Sequence, residues 1–142
     1  MPGATSSILI HADTKTVYEV VSDFEKYPEF IPDVKSVKVH RKGKKVEADF
    51  EVSIIKRIQY SLAFDLKPYQ QVQWTFVSSN LFKDNKGYWK FKEVKKGQTE
   101  ATYHTEVDFG LFVPSIITNR LVGSNLPAML KRFKTRAEGL AS

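Results

Sequence analysis

The sequence contains no cysteine, and this absence removes several kinds of chemistry. Disulfide bonds, thiol nucleophiles and cysteine-ligated metal sites are excluded, and the composition fits a reducing compartment, so we expect a cytoplasmic protein. No apolar run reaches the roughly 18 residues that a membrane-spanning helix needs. The first residues also lack a basic region followed by a long apolar stretch, so no signal peptide is predicted.

Motifs for catalysis and metal binding are also missing. The sequence has three histidines, His11, His40 and His104, and none has metal-ligand spacing to another histidine or to a carboxylate. The serine-nucleophile, zinc-protease, phosphate-loop and glycine-rich nucleotide motifs are absent. We therefore predict no catalytic residue, no metal and no cofactor.

Aromatic residues, in contrast, are abundant. The 142 residues include 10 Phe, 6 Tyr and 2 Trp, which together make 13% of the chain. The length predicts a single domain over residues 1–142. Large rings either fill a core or line a cavity, so this composition is compatible with a ligand-binding domain.

The charge balance is basic, with 22 Lys and Arg against 16 Asp and Glu and a net charge of +6. Such an excess could attract anionic lipid headgroups, RNA or an acidic partner, or it could be a solvated lysine-rich surface. No RNA-binding motif is present, and the predicted aromatic positions mostly face inward. We therefore expect no DNA partner and do not favour ribosome or RNA binding.

The first part of the chain predicts a strand, a helix and a short turn. The strand is SSILIHA, and Asp13 or Thr14 can cap the helix that follows. The residues on the apolar face of this helix are Val17, Val20, Val21 and Phe24. Pro28 stops the helix or limits it to a short second turn.

Apolar and polar residues then alternate from Val34 to Phe109, which is the pattern of antiparallel strands with one buried face. Residues 79–87 are predicted to form a longer loop. The other predicted reversals are at Gly43, Lys56–Arg57, Pro68–Tyr69 and Lys96–Gly97. With the strand before the helix, the pattern gives seven strands.

A single long helix is predicted after the strands. Gly110 ends the last strand, Pro114 suits the first turn of a helix, and Pro127 is expected to kink it. The apolar residues at helical spacing are Ile116, Ile117, Leu121, Leu126, Leu130, Phe133 and Ala137. The sequence therefore predicts an α+β fold, a seven-stranded curved antiparallel sheet around a long C-terminal helix.

The dimensions of these elements suggest a cavity. Seven strands at about 4.8 Å spacing make a sheet roughly 29 Å wide, whereas a helix with its side chains is about 10–12 Å across. The sheet has to curl around the helix, and curling leaves space unless aromatic side chains fill it as core. The residues expected to line the space are Phe50, Tyr60, Leu62, Trp74, Phe76, Trp89, Tyr103, Val107, Ile117, Arg120, Leu121 and Asn125.

Alternate connections of an antiparallel meander lie at the same end of the sheet, and one end collects apolar loop residues. The residues predicted to form an entrance and lid there are Tyr27, Phe30, Ile31, Leu81, Phe82 and Phe112. The cations expected near them are Lys56, Arg57, Lys83 and Lys86. Apolar tips inside a basic ring suit transient contact with an anionic membrane. The alternative is that the tips pack on each other and seal the end of the sheet.

Three segments resemble a known family. Asp23, Tyr27, Pro28 and Phe30 form an Asp-x-x-x-Tyr-Pro-x-Phe pattern, and Gly87, Trp89 and Phe91 form Gly-x-Trp-x-Phe. These segments, with the closing VPSIITNRLVGSNLPAMLKRFKTRAEG, resemble the START-like polyketide cyclase/dehydrase family of the SRPBCC or helix-grip superfamily. The resemblance is greatest to its coenzyme Q-binding branch.

This resemblance implies a helix-grip (START/Bet v 1-like) fold with an apolar cavity. It implies binding or transport of a hydrophobic small molecule, such as a lipid, quinone or polyketide, without catalysis or a cofactor. Relatives also include polyketide aromatase/cyclases and a ribosome-binding toxin, so these roles stay as alternatives. For a cyclase, the candidate donors are Tyr60, Tyr103, Arg120 and Asn125.

Overall fold

A computed structural model of the chain describes residues 3–42, 45–54, 56–110 and 126–141. The strands are β1 (Gly3–Ile10), β2 (Val34–Lys42), β3 (Lys45–Ile54), β4 (Lys56–Lys67), β5 (Gln71–Ser79), β6 (Asp84–Lys95) and β7 (Gln98–Asp108). The helices are α1 (Thr14–Ser22), a 3₁₀ helix (Phe24–Glu29) and α2 (Leu126–Ala141). No described helix is both long enough and apolar enough to cross a membrane.

The seven strands form one antiparallel sheet in the order β1-β7-β6-β5-β4-β3-β2. Strands β2 to β7 are a meander, and β1 joins the edge of β7. The predicted α+β fold, a curved seven-stranded antiparallel sheet with a C-terminal helix, is confirmed. The turns at Tyr69 and Gly97 are also confirmed, and both residues have positive φ.

Helix α1 starts where the sequence predicts. Asp13 is the N-cap, and its carboxylate accepts a hydrogen bond of 2.8 Å from the Thr16 N–H. Val17, Val20 and Val21 are buried on the inner face. The 3₁₀ helix that contains Pro28 is the predicted short second turn, since proline cannot donate the backbone bond that a longer helix would need.

Helix α2 packs against α1 and β1, and its buried residues are Leu126, Leu130, Phe133 and Ala137. Two hydrogen bonds of 2.9 Å join it to the end of β1, from Lys134 Nζ to the Leu9 carbonyl and from the His11 N–H to Glu138. The predicted helix start at Pro114, and the residues on which a kink at Pro127 depends, lie outside the described residues.

Two predicted reversals are wrong. Lys56 and Arg57 belong to β4, where they pair with Ile54 and Ser53, because the reversal lies before Lys56. The predicted loop over residues 79–87 is also too long, since β5 includes Ser79 and β6 begins at Asp84. Pairing with β7 from Asp84 onward extends β6 into this segment.

Gly87 allows an indole ring to lie directly on β6. It pairs with Trp74 on one side and Thr105 on the other. A Cβ atom at Gly87 would stand 2.1 Å from the His104 carbonyl oxygen and 2.6 Å from an indole carbon of Trp74. Only glycine fits there without moving the backbone or the indole ring.

We expect Gly87→Ala to lower the free energy of unfolding by about 1–3 kcal/mol or more, because the added methyl group overlaps backbone atoms of β7. Urea denaturation measures the change. The control is Gly139→Ala in α2, where an added Cβ meets no atom within 4 Å. Alanine favours a helix, so this control should be neutral or stabilising. Equal stability of Gly87→Ala and wild type would contradict the close packing at Gly87.

Candidate functional site

A cavity of about 240 Å³ lies between the inner face of the sheet, the 3₁₀ helix and α2. Its wall is mostly apolar. The predicted residues that line it are Phe50, Tyr60, Leu62, Trp74, Trp89, Tyr103 and Val107. These seven come from several different strands, so the fold brings them together as the alternation of side chains predicts.

The other predicted lining residues are placed elsewhere or are not described. Phe76 does not line the cavity and is half-buried. It follows the segment Gln71–Trp74, in which β5 pairs with β6, and beyond Trp74 the two strands no longer pair. This divergence moves Phe76 away from the wall. Four predicted residues lie outside the described residues: Ile117, Arg120, Leu121 and Asn125.

Several lining residues were not predicted as part of a site. They include Phe24, Phe64, Val72, Asn85, Thr105, Phe109, Met129 and Phe133. Most of them lie on the predicted inward faces, so the pattern placed them in the interior without indicating contact with a cavity. Asn85 falls in the predicted loop over residues 79–87. It has the same parity as Trp89 and Phe91, so extending their strand toward the N-terminus would have identified it as an inward-facing residue.

Rings pack against rings around the cavity and hold its wall in place. Phe24 lies against Phe64 with centroids 4.1 Å apart. Phe50 stacks on Tyr60 at 5.0 Å. On the opposite side, Phe133 of α2 meets Trp89 edge-to-face, also at 5.0 Å. Such contacts give a rigid apolar wall, which is typical of small-molecule sites.

The predicted lid residues of the 3₁₀ helix and its C-terminal side pack inward. The Tyr27 hydroxyl donates a hydrogen bond to the Val21 carbonyl at the end of α1, and its ring meets Phe133 edge-to-face at 5.3 Å. Ile31 is buried and lines the cavity. Phe30 is half-buried beneath the guanidinium of Arg136, which is 5.2 Å from the ring centroid.

The loop between β5 and β6 carries two more of the predicted entrance residues, Leu81 and Phe82. The N–H groups of Leu81 and Phe82 donate hydrogen bonds to Ser79 Oγ at 3.0 and 3.1 Å. Phe82 packs between Tyr60 and Phe109, with centroids 5.3 and 5.2 Å away. Leu81 and Phe82 are both half-buried. The loop therefore folds over the cavity, and Phe112 lies outside the described residues.

Arg136 also joins the 3₁₀ helix to α2 by charge. Its guanidinium donates to a Glu29 carboxylate oxygen at 2.8 Å. This bond lowers the pKa of Glu29, whose side chain is half exposed. Because the pair is exposed to solvent, it contributes little stability and chiefly fixes the position of the lid segment.

Three tyrosines that line the cavity remain neutral at physiological pH. Burial raises the pKa of Tyr27 and Tyr60 well above the ordinary value for tyrosine. Burial also raises the pKa of Tyr103 to about 12, and the nearby Thr105 side chain opposes part of this rise. Their hydroxyl groups therefore act as hydrogen-bonding groups and not as proton-transfer bases near neutral pH.

The outer face of the sheet carries a serine, an aspartate and a histidine in contact. The Asp49 carboxylate is 2.8 Å from His40 Nε2 and accepts a hydrogen bond of 2.6 Å from Ser61 Oγ, which lowers its pKa. A nucleophilic serine needs the histidine beside it, but here the aspartate stands between the two. The cluster is therefore a set of cross-strand polar contacts.

No group of side chains that could hold a metal ion occurs among the described residues.

The raised pKa of Tyr103 predicts an alkaline loss of stability. In the unfolded chain this phenol ionises near pH 10, whereas in the folded protein it keeps its proton to about pH 12. Between these values the folded state binds more protons, so the free energy of unfolding falls as pH rises. We expect Tyr103→Phe to reduce this fall. Urea denaturation at several pH values above about 9 measures it, and an unchanged slope in Tyr103→Phe would contradict the assignment.

Residues 10–134 match the sequence model of the family described as "Polyketide cyclase / dehydrase and lipid transport". No curated protein matches the chain.

Several solved structures share the fold. A protein from Thermus thermophilus has a TM-score of 0.87 and 16% identity, with 99% of this chain and 100% of that one covered. The Zhui aromatase/cyclase from Streptomyces sp. R1128 has a TM-score of 0.86 and 14% identity, with 96% of this chain and 93% of that one covered. A START superfamily protein from Mycobacterium smegmatis has a TM-score of 0.83 and 21% identity, with 97% of this chain and 98% of that one covered. At these identities the similarity establishes the fold alone.

Proposed function

The chain belongs to the polyketide cyclase / dehydrase and lipid transport family, and from this premise we propose that it binds or transports a hydrophobic small molecule without transforming it. The observation that carries the proposal is the aromatic-lined cavity of about 240 Å³. Ligand sites usually measure about 300–1,000 Å³, so the ligand is small or inserts one part of a longer molecule. A lipid, quinone or polyketide-like compound fits this description.

The chemistry of the wall supports binding over catalysis. Among the described lining residues, the groups that can ionise are three tyrosines and Asp33. The tyrosines keep their protons at neutral pH, and Asp33 is exposed at the entrance. General acid–base catalysis needs a group whose pKa lies near the working pH, and the raised pKa values of the three tyrosines do not meet this requirement.

An aromatase/cyclase function is the alternative. One of the proteins with a similar structure is named an aromatase/cyclase. Of the candidate donors, Tyr60 and Tyr103 line the cavity, whereas Arg120 and Asn125 lie outside the described residues. Turnover of a polyketide by the purified protein would favour this function. Ribosome binding has only the basic net charge in its favour.

Filling the cavity should abolish binding while leaving the fold intact. We expect Val107→Trp to weaken binding of the neutral probe N-phenyl-1-naphthylamine at least tenfold, because the larger side chain occupies cavity space. Overpacking lowers the free energy of unfolding by about 1–3 kcal/mol, which circular dichroism and urea denaturation follow. Probe fluorescence measures the affinity.

The matched control is Val77→Trp on the outer face of β5, where the valine is 43% exposed. This variant should bind the probe as wild type does. If folded Val107→Trp also binds the probe normally, the cavity is not the binding site. Native mass spectrometry of the purified protein, followed by extraction, identifies any natural ligand.

We propose in addition that the entrance makes brief contact with an anionic membrane. Lys56, Arg57, Lys83 and Lys86 are exposed in the strands and loop that end at the entrance. Each cation near an anionic surface contributes about 1 kcal/mol. The inward packing of Phe82 and Ile31 means that the apolar tips have to turn outward before they insert, so binding should be weak and sensitive to salt.

Vesicle flotation tests this proposal. Wild type should float with anionic vesicles at low salt and not at high salt, and Lys83→Glu and Phe82→Ser should both reduce flotation. Lys96→Glu makes the same charge change in the turn at the other end of the sheet and should have less effect. Absence of wild-type flotation, or flotation unchanged in both variants at the entrance, leaves the tips with the role of a lid alone.

A further inference from the structure

Asn85 is a buried amide in the wall of an apolar cavity. It lies on β6 with the same parity as Gly87 and Trp89, so its side chain faces inward. Its exposed fraction is 8%, and it lines the cavity. A buried amide requires hydrogen-bond partners, because burial without them costs free energy.

Trp74 fixes the orientation of this amide. The indole N–H donates to Asn85 Oδ1 at 3.1 Å. An indole nitrogen is a donor only, so the amide oxygen is the end that faces Trp74 and Nδ2 is the other end. Asn85 Nδ2 carries two N–H donors, and no acceptor for them occurs among the described residues. Among the described residues, no fully buried side-chain nitrogen or oxygen lacks a hydrogen-bond partner. Nδ2 is therefore at least partly accessible, and it belongs to a residue that lines the cavity.

The surrounding residues hold the amide in place and keep that space open. Gly87 has no side chain, so the Trp74 ring can lie on the strand and reach Asn85. The same ring packs on Tyr103 at 5.4 Å. Val107 pairs directly with Asn85 and contributes an apolar side chain to the wall. The donors of Nδ2 therefore face an apolar cavity from a fixed position.

We propose that Asn85 determines ligand specificity by donating, through Nδ2, to an uncharged acceptor oxygen such as a ketone or ester carbonyl. This inference rests on the proposed function, because it names the chemistry of the ligand in the same cavity. A neutral oxygen is preferred to a carboxylate. No lysine or arginine lines the cavity among the described residues, and a carboxylate buried without a cation is strongly disfavoured.

Two probes of nearly the same shape test the inference. 2-Acetylnaphthalene carries a carbonyl oxygen, and 2-isopropenylnaphthalene has a methylene group in its place. Affinities for both are measured by calorimetry with wild type and with Asn85→Leu, which replaces the amide by an apolar side chain of similar size. We expect the ratio of acetyl to isopropenyl affinity to fall by about 5- to 100-fold in Asn85→Leu, with binding of the hydrocarbon retained.

A second variant and a spectroscopic measurement separate this role from a structural one. Trp74→Phe removes the indole donor that orients the amide but keeps Asn85, so its ratio should lie between those of wild type and Asn85→Leu. In ¹H–¹⁵N spectra of wild type, the Asn85 side-chain amide signals should shift with 2-acetylnaphthalene and stay in place with 2-isopropenylnaphthalene. This measurement uses wild type alone, so it does not depend on whether Asn85→Leu folds.

The outcomes distinguish the two proposals. If both probes bind but the ratio is the same in wild type and Asn85→Leu, or the amide signals respond alike to both probes, cavity binding stands and the role of Asn85 is overturned. If neither probe binds wild type, the proposed function fails and the role of Asn85 fails with it.

Discussion

The difference in width between the sheet and the helix that covers it is the constraint on which the rest of the structure depends. Seven strands span roughly 29 Å, more than twice the breadth of a helix. A curved sheet allows α2 and the 3₁₀ helix to cover its inner face. A curved sheet covered by helices that are much narrower than it is encloses more volume than ordinary aliphatic side chains fill, which explains why rings such as Trp89 and Phe133 occupy the wall.

The same constraint explains the aromatic residues Tyr27 and Phe30 on either side of Pro28. The chain has to cross from α1 to β2 over the open side of the sheet, and a polar connector would leave that side wet. Tyr27 instead places its ring against Phe133 and its hydroxyl against the last turn of α1. The segment thus both covers the sheet and connects two elements, and its tyrosine hydroxyl donates to a carbonyl of the helix that it follows.

The period-two pattern was sufficient to predict the sheet and which side chains point inward, because each strand has one wet and one dry face. It could not show where neighbouring strands separate. Phe76 has the parity of Trp74 but lies beyond the last pair between β5 and β6. The pattern also fails where a polar residue stands at an inward-facing position of a strand, because it interrupts the alternation of apolar and polar residues. Asn85 looks like a loop residue until the indole of Trp74, which is distant in sequence, supplies its partner.

Reversals were harder to place than strands. Lys56 and Arg57 are exposed and charged, as turn residues often are, but the exposed first residues of a strand accept the same side chains. The choice depends on the register with β3, which is set by Val52 and Ile58 packing together in the core. Local sequence does not contain that information, since the two residues belong to different strands.

Both tryptophans of the chain, Trp74 and Trp89, belong to the cavity wall. One donates its N–H to Asn85, and the other lies between Tyr103 and Phe133. The intrinsic indole emission of the native protein therefore originates entirely from this interior. Its colour and intensity report the polarity and occupancy of the cavity, while events on the outer face of the sheet leave it almost unchanged. Indole fluorescence is therefore an intrinsic probe of the environment inside the cavity.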